Sequence, residues 1–181
     1  MDARTITAAQ ANPAAAAALA VAAGSAATIL GAFYFQYVVG LFPCPLCLEQ
    51  RYFHYAAIPL ALIVAIAAYY RAPRPLILAG LAVVALLLLA GAALAVYHAG
   101  VEWKWWAGPQ DCSGPLNPIG GNLLDQLKTI NVVRCDEAAW RLLGVSMAGW
   151  NALISVALAA IAGLGIVTAR RSDPRVSGNP V

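Results

Sequence analysis

The amino-acid sequence predicts an all-α membrane protein: a four-transmembrane-helix bundle with a long extracytoplasmic loop between its third and fourth helices. Of the 181 residues, 62% are hydrophobic and only 10% are charged, whereas a soluble domain usually carries about 25% charged residues. Four stretches lack Asp, Glu, Lys and Arg for the roughly 20 residues that a helix needs to cross the hydrocarbon core. The apolar content excludes a disordered chain. A net charge of +3 without a Lys/Arg cluster argues against nucleic-acid binding.

The uncharged stretches place the spans near residues 14–37, 52–70, 76–97 and 146–169. Only helices and closed barrels cross a bilayer, because backbone polar groups find no water there. The stretches are continuous and rich in Ala and Leu, without the alternation of barrel strands, so helices are expected. We predict a single membrane domain, with a long loop at residues 98–145 and flexible tails at 1–12 and 172–181.

The first span has two features that need interpretation. Small residues at 24–26 resemble a signal-peptide cleavage site, but Arg4 is the only preceding positive charge. The apolar stretch also far exceeds the 7–15 residues of a signal core, so we expect an uncleaved helix. Ala27 and Gly31 lie four residues apart, a spacing that lets another helix approach closely in lipid or that only reflects an Ala-rich span.

Charge placement predicts which side of the membrane each loop faces. The short turn after the second span holds Arg71 and Arg74, and the C-terminal tail holds Arg170, Arg171 and Arg175. Short basic segments beside span ends stay in the cytoplasm. We therefore expect both termini in the cytoplasm and the long loop on the outer side.

The four cysteines follow the first and third spans, so they are predicted to share one face of the membrane. Cys44 and Cys47 form a C-x-x-C motif after the first span, and Cys112 and Cys135 lie in the long loop. Exits from odd-numbered spans lie on the same side, whichever way the chain is inserted. With the orientation argued above, that side lies outside the cytoplasm, where disulfides persist.

Four cysteines allow three pairings, and their function has three interpretations. They can be inert disulfides that staple an outer loop, or thiolates around a zinc ion, because C-x-x-C has metal-ligand spacing. Alternatively, they exchange disulfides with other thiols. The zinc hypothesis is the weakest, because Cys112 and Cys135 do not form a second close pair, and we expect no metal site.

The surroundings of the C-x-x-C motif favour redox chemistry. The motif lies where the second span begins, and a helix N-terminus stabilises a thiolate. Arg51 lies one helical turn after Cys47 on the same face. A permanently charged Arg is costly at the edge of a bilayer. The Arg51 side chain either snorkels to the headgroups or stabilises a nearby anion. That anion could be a cysteine thiolate or the reduced form of an electron acceptor, and the lipid supplies quinones as acceptors.

The long loop has the features of a segment that receives electrons. Turn-forming residues surround Cys112 in the stretch GPQDCSGP at 108–115, so this stretch is expected to be irregular and accessible. Such a cysteine can enter the groove of another protein and exchange disulfides there. Farther along, the spacing of four apolar residues predicts a short amphipathic helix, which either lies on the membrane surface or caps the bundle: Leu123, Leu124, Leu127 and Ile130.

The order of these features resembles the disulfide bond formation protein B (DsbB) family. The matching stretches are CPLCLEQR at 44–51, WWAGPQDC at 105–112, RCDE at 134–137 and LLGVSMAG at 142–149. The resemblance implies a quinone-linked membrane thiol oxidase of the bacterial inner membrane, with its cysteines on the periplasmic side. It also implies a partner, a periplasmic thioredoxin-like (DsbA-like) dithiol protein, and a quinone cofactor, ubiquinone or menaquinone.

The resemblance further implies the role of each cysteine. A Cys112–Cys135 disulfide would accept electrons from the partner, with Cys112 forming the mixed disulfide, and would pass them to Cys44–Cys47. Cys47 would face the quinone ring. Some family members also have a histidine after the third span near the quinone, and His98 is the nearest candidate in this chain. Arg51 matches the quinone-site arginine of the family.

His54 is a further candidate site residue on the second helix. Cys47, Arg51 and His54 fall on one stripe of the second helix. His54 either relays a proton during quinone reduction or packs in the bundle with a backbone or hydroxyl partner. Two alternative functions are a vitamin K epoxide reductase-like quinone-linked enzyme, whose cysteine pairs come in a different chain order, and a non-catalytic disulfide-stapled scaffold.

Overall fold

The computed structural model describes residues 12–109 and 134–171. Cys112 and the predicted amphipathic helix at 123–130 lie outside the described residues. The predicted flexible tails also lie outside them, except for Asn12.

Four long helices make up most of the described chain, and each is long and apolar enough to cross a membrane. The predicted four-helix membrane fold is therefore confirmed. The helices are α1 (Pro13–Phe33), α2 (Pro45–Tyr69), α3 (Arg74–Glu102) and α4 (Met147–Arg171). A π-helical turn, Tyr34–Val38, continues α1. A short antiparallel hairpin of β1 (Arg141–Leu142) and β2 (Val145–Ser146) precedes α4.

Capping residues decide where the first two helices begin. The Asn12 side chain accepts hydrogen bonds from the backbone of Ala14 and Ala15 at the start of α1. At the start of α2, the Cys44 sulfur accepts from the Cys47 backbone N–H at 3.2 Å. Pro45 takes the first helical position, where a missing N–H costs little. Helix α2 thus begins at the C-x-x-C motif, before the uncharged stretch at residue 52.

The helices form a ring in which each packs against the next in the chain and α4 closes against α1. The side-chain amide of Asn12 donates to the Ala68 carbonyl at 3.0 Å, which joins the start of α1 to the end of α2. At the opposite end, Asn151 of α4 contacts Gln50 of α2, which in turn contacts His98 of α3. We call this the cysteine end, because Cys44, Cys47 and Cys135 lie there. The arrangement is an up-down-up-down bundle.

Small residues let the helices approach each other closely, as is typical of membrane bundles. The buried core is rich in Ala, with a few larger side chains such as Leu81 and Leu88. At Gly165 of α4, an added Cβ would lie only 2.6 Å from the Cβ of Ala17 on α1. Gly165 therefore marks a place where two helix backbones lie too close for any side chain.

We expect Gly165→Ala to destabilise the bundle by about 1–3 kcal/mol relative to Gly163→Ala, because the new methyl overpacks a contact that cannot yield. Gly163 is the matched control, since no atom in the described part of the chain lies within 4 Å of a Cβ built there. Both substitutions gain the same helix propensity. Thermal unfolding in detergent measures the difference, and equal midpoints for the two variants would contradict the proposed close contact.

Candidate functional site

The C-x-x-C motif lies at the N-terminus of α2, where a disulfide joins Cys44 and Cys47. Cys44 is fully buried, whereas Cys47 is half-buried. The two sulfurs thus have different surroundings although they share one bond.

Cys135 lies beside the buried sulfur of this pair. Cys44, Leu46 and Cys135 form one buried cluster, against which Cys47 and Leu94 pack. The His98 ring also forms a hydrogen bond with the backbone of Cys135. A cysteine from the long loop therefore packs in the same cluster as the C-x-x-C motif. The predicted pairing of Cys135 with Cys112 stays a prediction, because Cys112 lies outside the described residues.

A cavity of about 510 Å³ opens at the cysteine end of the bundle. This volume is typical of small-molecule sites, which combine apolar walls with a few polar groups. Its apolar walls include Phe35, Leu41, Phe42, Trp140, Met147 and Ile154. Its polar lining consists of Cys47, Gln50, Arg51, His54, His98, Glu102 and Asn151, together with Thr28 of α1. Cys47 therefore lines the cavity, while Cys44 lies in the cluster with Cys135.

Helix α1 leaves room for this cavity. Ala27 and Gly31 both line it, and among the described residues no atom outside the helix backbone lies within 4 Å of a Cβ built at Gly31. The interpretation that Gly31 permits a close helix contact is therefore wrong. Farther along, the Phe35 ring packs against Trp140 with their centroids 4.9 Å apart. Small and aromatic residues of α1 and its π turn together shape one wall.

Protein groups hold Arg51 at the wall of the cavity. Its Nη1 donates to Gln36 Oε1 at 2.6 Å, and its guanidinium carbon lies 5.6 Å from the centroid of the Phe33 ring. Gln36 belongs to the π-helical turn, a feature that occurs often at functional sites. These contacts favour a role in the cavity over a side chain that snorkels to the headgroups.

A chain of hydrogen bonds crosses the cavity from α3 to α4. Gln50 Nε2 lies 2.8 Å from His98 Nδ1, and Asn151 Nδ2 donates to Gln50 Oε1 at 2.7 Å. Asn151 Oδ1 lies 2.9 Å from His54 Nε2, and Ser155 Oγ lies 3.4 Å from the same nitrogen. His54 thus has an amide and a hydroxyl partner, and it also lines the cavity.

His98 lies between a sulfur and a carboxylate. Its Nε2 is 3.8 Å from Cys44 Sγ and 4.0 Å from Glu102 Oε1. The Glu102 side chain is only 6% exposed, and its Oε2 has no hydrogen-bond partner among the described residues. The sequence predicted His98 only by resemblance, and the structure places it directly beside the C-x-x-C motif.

Four further polar residues of the cavity were missed by the sequence analysis: Thr28, Gln50, Glu102 and Asn151. Polar side chains inside membrane spans are rare and mark functional sites. This signal was present for Asn151, whereas Gln50 fell outside the predicted second span because the spans were delimited by charged residues alone. The predicted loop began at residue 98 and so included Glu102, whereas α3 continues to Glu102.

Salt bridges tether the chain just after Cys135. Lys104 Nζ lies 2.7 Å from Asp136 Oδ2, and Arg134 Nε lies 3.0 Å from Asp136 Oδ1. The hydrogen bond from Lys104, followed by that from Arg134, lowers the pKa of the Asp136 carboxyl. A lowered folded-state pKa means that the tether is complete above the usual aspartate pKa of about 3.9 and is lost as the pH falls through the folded value. It is therefore intact at neutral pH.

Comparison with known proteins matches these features to one family. The family model of the disulfide bond formation protein DsbB matches residues 14–165. The chain belongs to the DsbB family. Among its relatives, disulfide bond formation protein B of Marinobacter nauticus is 36% identical over 154 residues, which cover 80% of this chain and 85% of the relative. That of Aromatoleum aromaticum is 33% identical over 144 residues, covering 76% and 82%. No solved structure matches the chain.

Family membership confirms the predicted activity. DsbB proteins are quinone-dependent protein disulfide oxidoreductases, and the Cys44–Cys47 disulfide and the four apolar helices fit that class. The chain is thus a multi-pass membrane enzyme of disulfide bond formation. The scaffold and the vitamin K epoxide reductase-like alternatives are set aside.

Proposed function

We propose that this DsbB chain resides in the bacterial inner membrane, oxidises a DsbA-like dithiol protein in the periplasm and delivers the electrons to ubiquinone or menaquinone. One observation carries the proposal: the two sulfurs of the C-x-x-C disulfide face different surroundings. Cys44 packs in the cluster with Cys135, and Cys47 lines the cavity. A disulfide placed in this way can receive electrons through one sulfur and pass them on through the other.

The residues of the cavity fit a quinone. Its ring and isoprenoid tail need apolar walls, which Phe35, Phe42 and Trp140 supply, and its oxygens need donors, of which Arg51 is the strongest. When bound, quinone supplies an acceptor for two electrons and two protons. The small residues Ala27 and Gly31 also line the cavity and take up little of its space.

The cysteines would exchange disulfides in a fixed order. When a partner thiolate attacks Cys112, the Cys112–Cys135 bond breaks and Cys135 leaves as a thiolate. Cys135 then attacks Cys44, and Cys47 leaves as a thiolate at the cavity wall. The second thiol of the partner releases Cys112, which attacks Cys135 and frees Cys44. The partner gains one disulfide, and the C-x-x-C motif gains two electrons. Arg51 and the N-terminus of α2 stabilise the negative charge on Cys47.

Charge placement supports the proposed orientation. Arg71 lies in the turn between α2 and α3, Arg74 is the first residue of α3, and Arg170 and Arg171 end α4. All four lie at the end of the bundle opposite the cysteine end. Basic residues beside span ends stay in the cytoplasm, so the cysteine end faces the periplasm and both termini face the cytoplasm.

The proposed activity is tested with purified protein, a reduced thioredoxin-like dithiol protein and a soluble quinone analogue, by following the loss of quinone absorbance. For the trapping experiment the partner is supplied in its disulfide form, and we expect Cys135→Ala to capture it as a mixed disulfide, because the lone Cys112 thiolate attacks the partner disulfide and displaces one partner thiolate. Without Cys135, no intramolecular disulfide can displace the partner from Cys112 again. Gels run without reductant measure this adduct. The control variant also carries Cys112→Ser and should form none. The absence of any adduct with Cys135→Ala would contradict the exchange sequence.

Filling the cavity from α1 should weaken quinone binding. We expect Gly31→Leu to raise the KM for quinone about tenfold, since the new side chain enters space that the ligand would occupy. Gly163→Leu is the matched control, because a Cβ built at Gly163 also has no atom of the described residues within 4 Å, and Gly163 lies outside the cavity lining. Steady-state kinetics over a range of quinone concentrations compare the two. An equal KM in both variants would place the quinone elsewhere.

A further inference from the structure

One backbone carbonyl sets the polarity of the hydrogen-bond chain in the cavity. Gln50 Nε2 lies 3.1 Å from the carbonyl oxygen of Leu46 and 2.8 Å from His98 Nδ1. A carbonyl oxygen only accepts hydrogen bonds, so the Gln50 atom that faces it must be the amide nitrogen. The Gln50 amide therefore has a single orientation, and its Oε1 faces Asn151.

This orientation determines which nitrogen of His98 carries the proton. An amide NH₂ only donates, so His98 Nδ1 must accept, and the proton of the neutral ring lies on Nε2. The neighbours of Nε2 support the same assignment independently. Cys44 Sγ at 3.8 Å and Glu102 Oε1 at 4.0 Å are both acceptors. Because Nδ1 accepts from Gln50, the hydrogen bond from the His98 ring to the Cys135 backbone also comes from Nε2. His98 thus directs its N–H toward the Cys135 backbone and the buried sulfur of the C-x-x-C disulfide.

The fixed orientation of the Gln50 amide also determines the hydrogen bonds at the other end of this network, between Asn151 and His54. Because Gln50 presents Oε1, Asn151 must donate through Nδ2, which lies 2.7 Å away. Asn151 Oδ1 is then the atom that faces His54 Nε2 at 2.9 Å. An oxygen acceptor there requires the proton of His54 on Nε2. The remaining nitrogen, His54 Nδ1, is a buried lone pair with no partner among the described residues.

We propose that Gln50 is the positioning residue of this site: anchored on the Leu46 carbonyl, it fixes the proton of both histidines on Nε2. His98 is thereby held as an N–H donor to Cys44. Its catalytic value rests on the proposed function, because the N–H stabilises Cys44 when disulfide exchange frees that sulfur as a thiolate. The tautomers themselves do not depend on that function.

The position of the proton on His98 also argues against a metal site at the cysteine end. Cys44, Cys47 and His98 place their ligand atoms within 4.8 Å of one another. A histidine that binds a metal presents a lone pair and donates its other N–H to an acceptor. His98 has the opposite arrangement, since Gln50 donates to Nδ1 and the sulfurs face Nε2–H.

The tautomers can be measured directly, because His54 and His98 are the two histidines of the whole sequence. Oxidised protein with nitrogen-15 histidine, in detergent and without quinone or partner, gives two ring systems in a proton–nitrogen correlation spectrum. His98→Gln assigns them. We expect a protonated Nε2 and an unprotonated Nδ1 in both rings. A neutral ring with its proton on Nδ1, at either histidine, would overturn the proposal.

Gln50→Glu tests the role of the amide. An ionised carboxylate cannot donate, so His98 should move its proton to Nδ1 or gain a second one there. His54 should stay unchanged, because Asn151 still finds an acceptor. The spectrum is taken at a pH where infrared absorption shows the introduced carboxyl to be ionised. Glu49→Gln, at an exposed neighbouring position, is the control and should alter neither ring.

An unprotonated Nδ1 at His98 in ionised Gln50→Glu would overturn the positioning role. Because no quinone or partner is present in these spectra, that result would leave the proposed electron transfer standing. Conversely, a protein that reduces no quinone but shows both expected tautomers would overturn the proposed function alone.

Discussion

Replacing Cys47 by Ser is expected to lower quinone reduction by about a thousandfold or more, because it removes the sulfur that lines the cavity and must carry the electrons. The same change leaves Cys44 without its disulfide partner. Cys44 and Cys135 are both fully buried in one cluster. We therefore expect a Cys44–Cys135 disulfide to accumulate in Cys47→Ser. Peptide mass spectrometry under non-reducing conditions identifies it.

Cys135→Ser is the matched comparison for this prediction. It should also stop oxidation of the protein partner, but a small dithiol can still reduce Cys44–Cys47 directly, so quinone reduction with that dithiol should survive. Cys47→Ser should lose activity with both electron donors. Together the two variants separate the end of the pathway that receives electrons from the end that delivers them. Quinone reduction by Cys47→Ser with the small dithiol would show that Cys47 is not the delivering sulfur.

The sequence predicts the four helices well because charge is excluded from the hydrocarbon core and the uncharged stretches are long. It predicts their ends less well. The uncharged stretch of α2 begins at Tyr52, whereas the helix begins at Pro45, because the Cys44 cap and the following proline define that end. The helix therefore continues through Glu49 and Arg51, which a hydropathy criterion counts against a span.

The π-helical turn at Tyr34–Val38 and the hairpin before α4 had no sequence signal. Both depend on tertiary contacts: Gln36 of the turn accepts a hydrogen bond from Arg51, and Trp140 ahead of the hairpin packs against Phe35. A local pattern of residues carries no information about such partners. A local pattern was equally insufficient for Gly31. Its four-residue spacing from Ala27 was compatible with a close helix contact, but both residues line the cavity.

The candidate site was predictable where its residues share one helix. Cys47, Arg51 and His54 follow helical spacing, and all three line the cavity. The polar chain of His98, Gln50 and Asn151 comes from three different helices, so only their packing brings it together. Intramembrane amides are nevertheless visible in a sequence, and a search for polar side chains within the predicted spans would have found Asn151. Gln50 lies two residues before the predicted second span, so only the true start of α2 reveals it.

Arg51→Leu is expected to raise the KM for quinone about tenfold to a hundredfold, the loss that follows removal of a charge-assisted hydrogen bond. The Arg51 guanidinium lies at the cavity wall, held by Gln36 and the Phe33 ring. The KM for quinone of Arg51→Lys should lie between those of the unaltered protein and Arg51→Leu. An ammonium keeps the positive charge but lacks the planar guanidinium that these contacts hold. Steady-state kinetics over a range of quinone concentrations measure the effect.

Arg170→Leu is the matched control, since Arg170 is exposed at the opposite end of the bundle. It should leave the KM for quinone unchanged. In Arg51→Leu, a small dithiol should still reduce the Cys44–Cys47 disulfide, because the bond itself does not require the guanidinium. If Arg51→Leu matched Arg170→Leu in KM, the side chain would act only as a membrane anchor. A raised KM in Arg51→Leu alone would instead assign the positive charge to the quinone cavity.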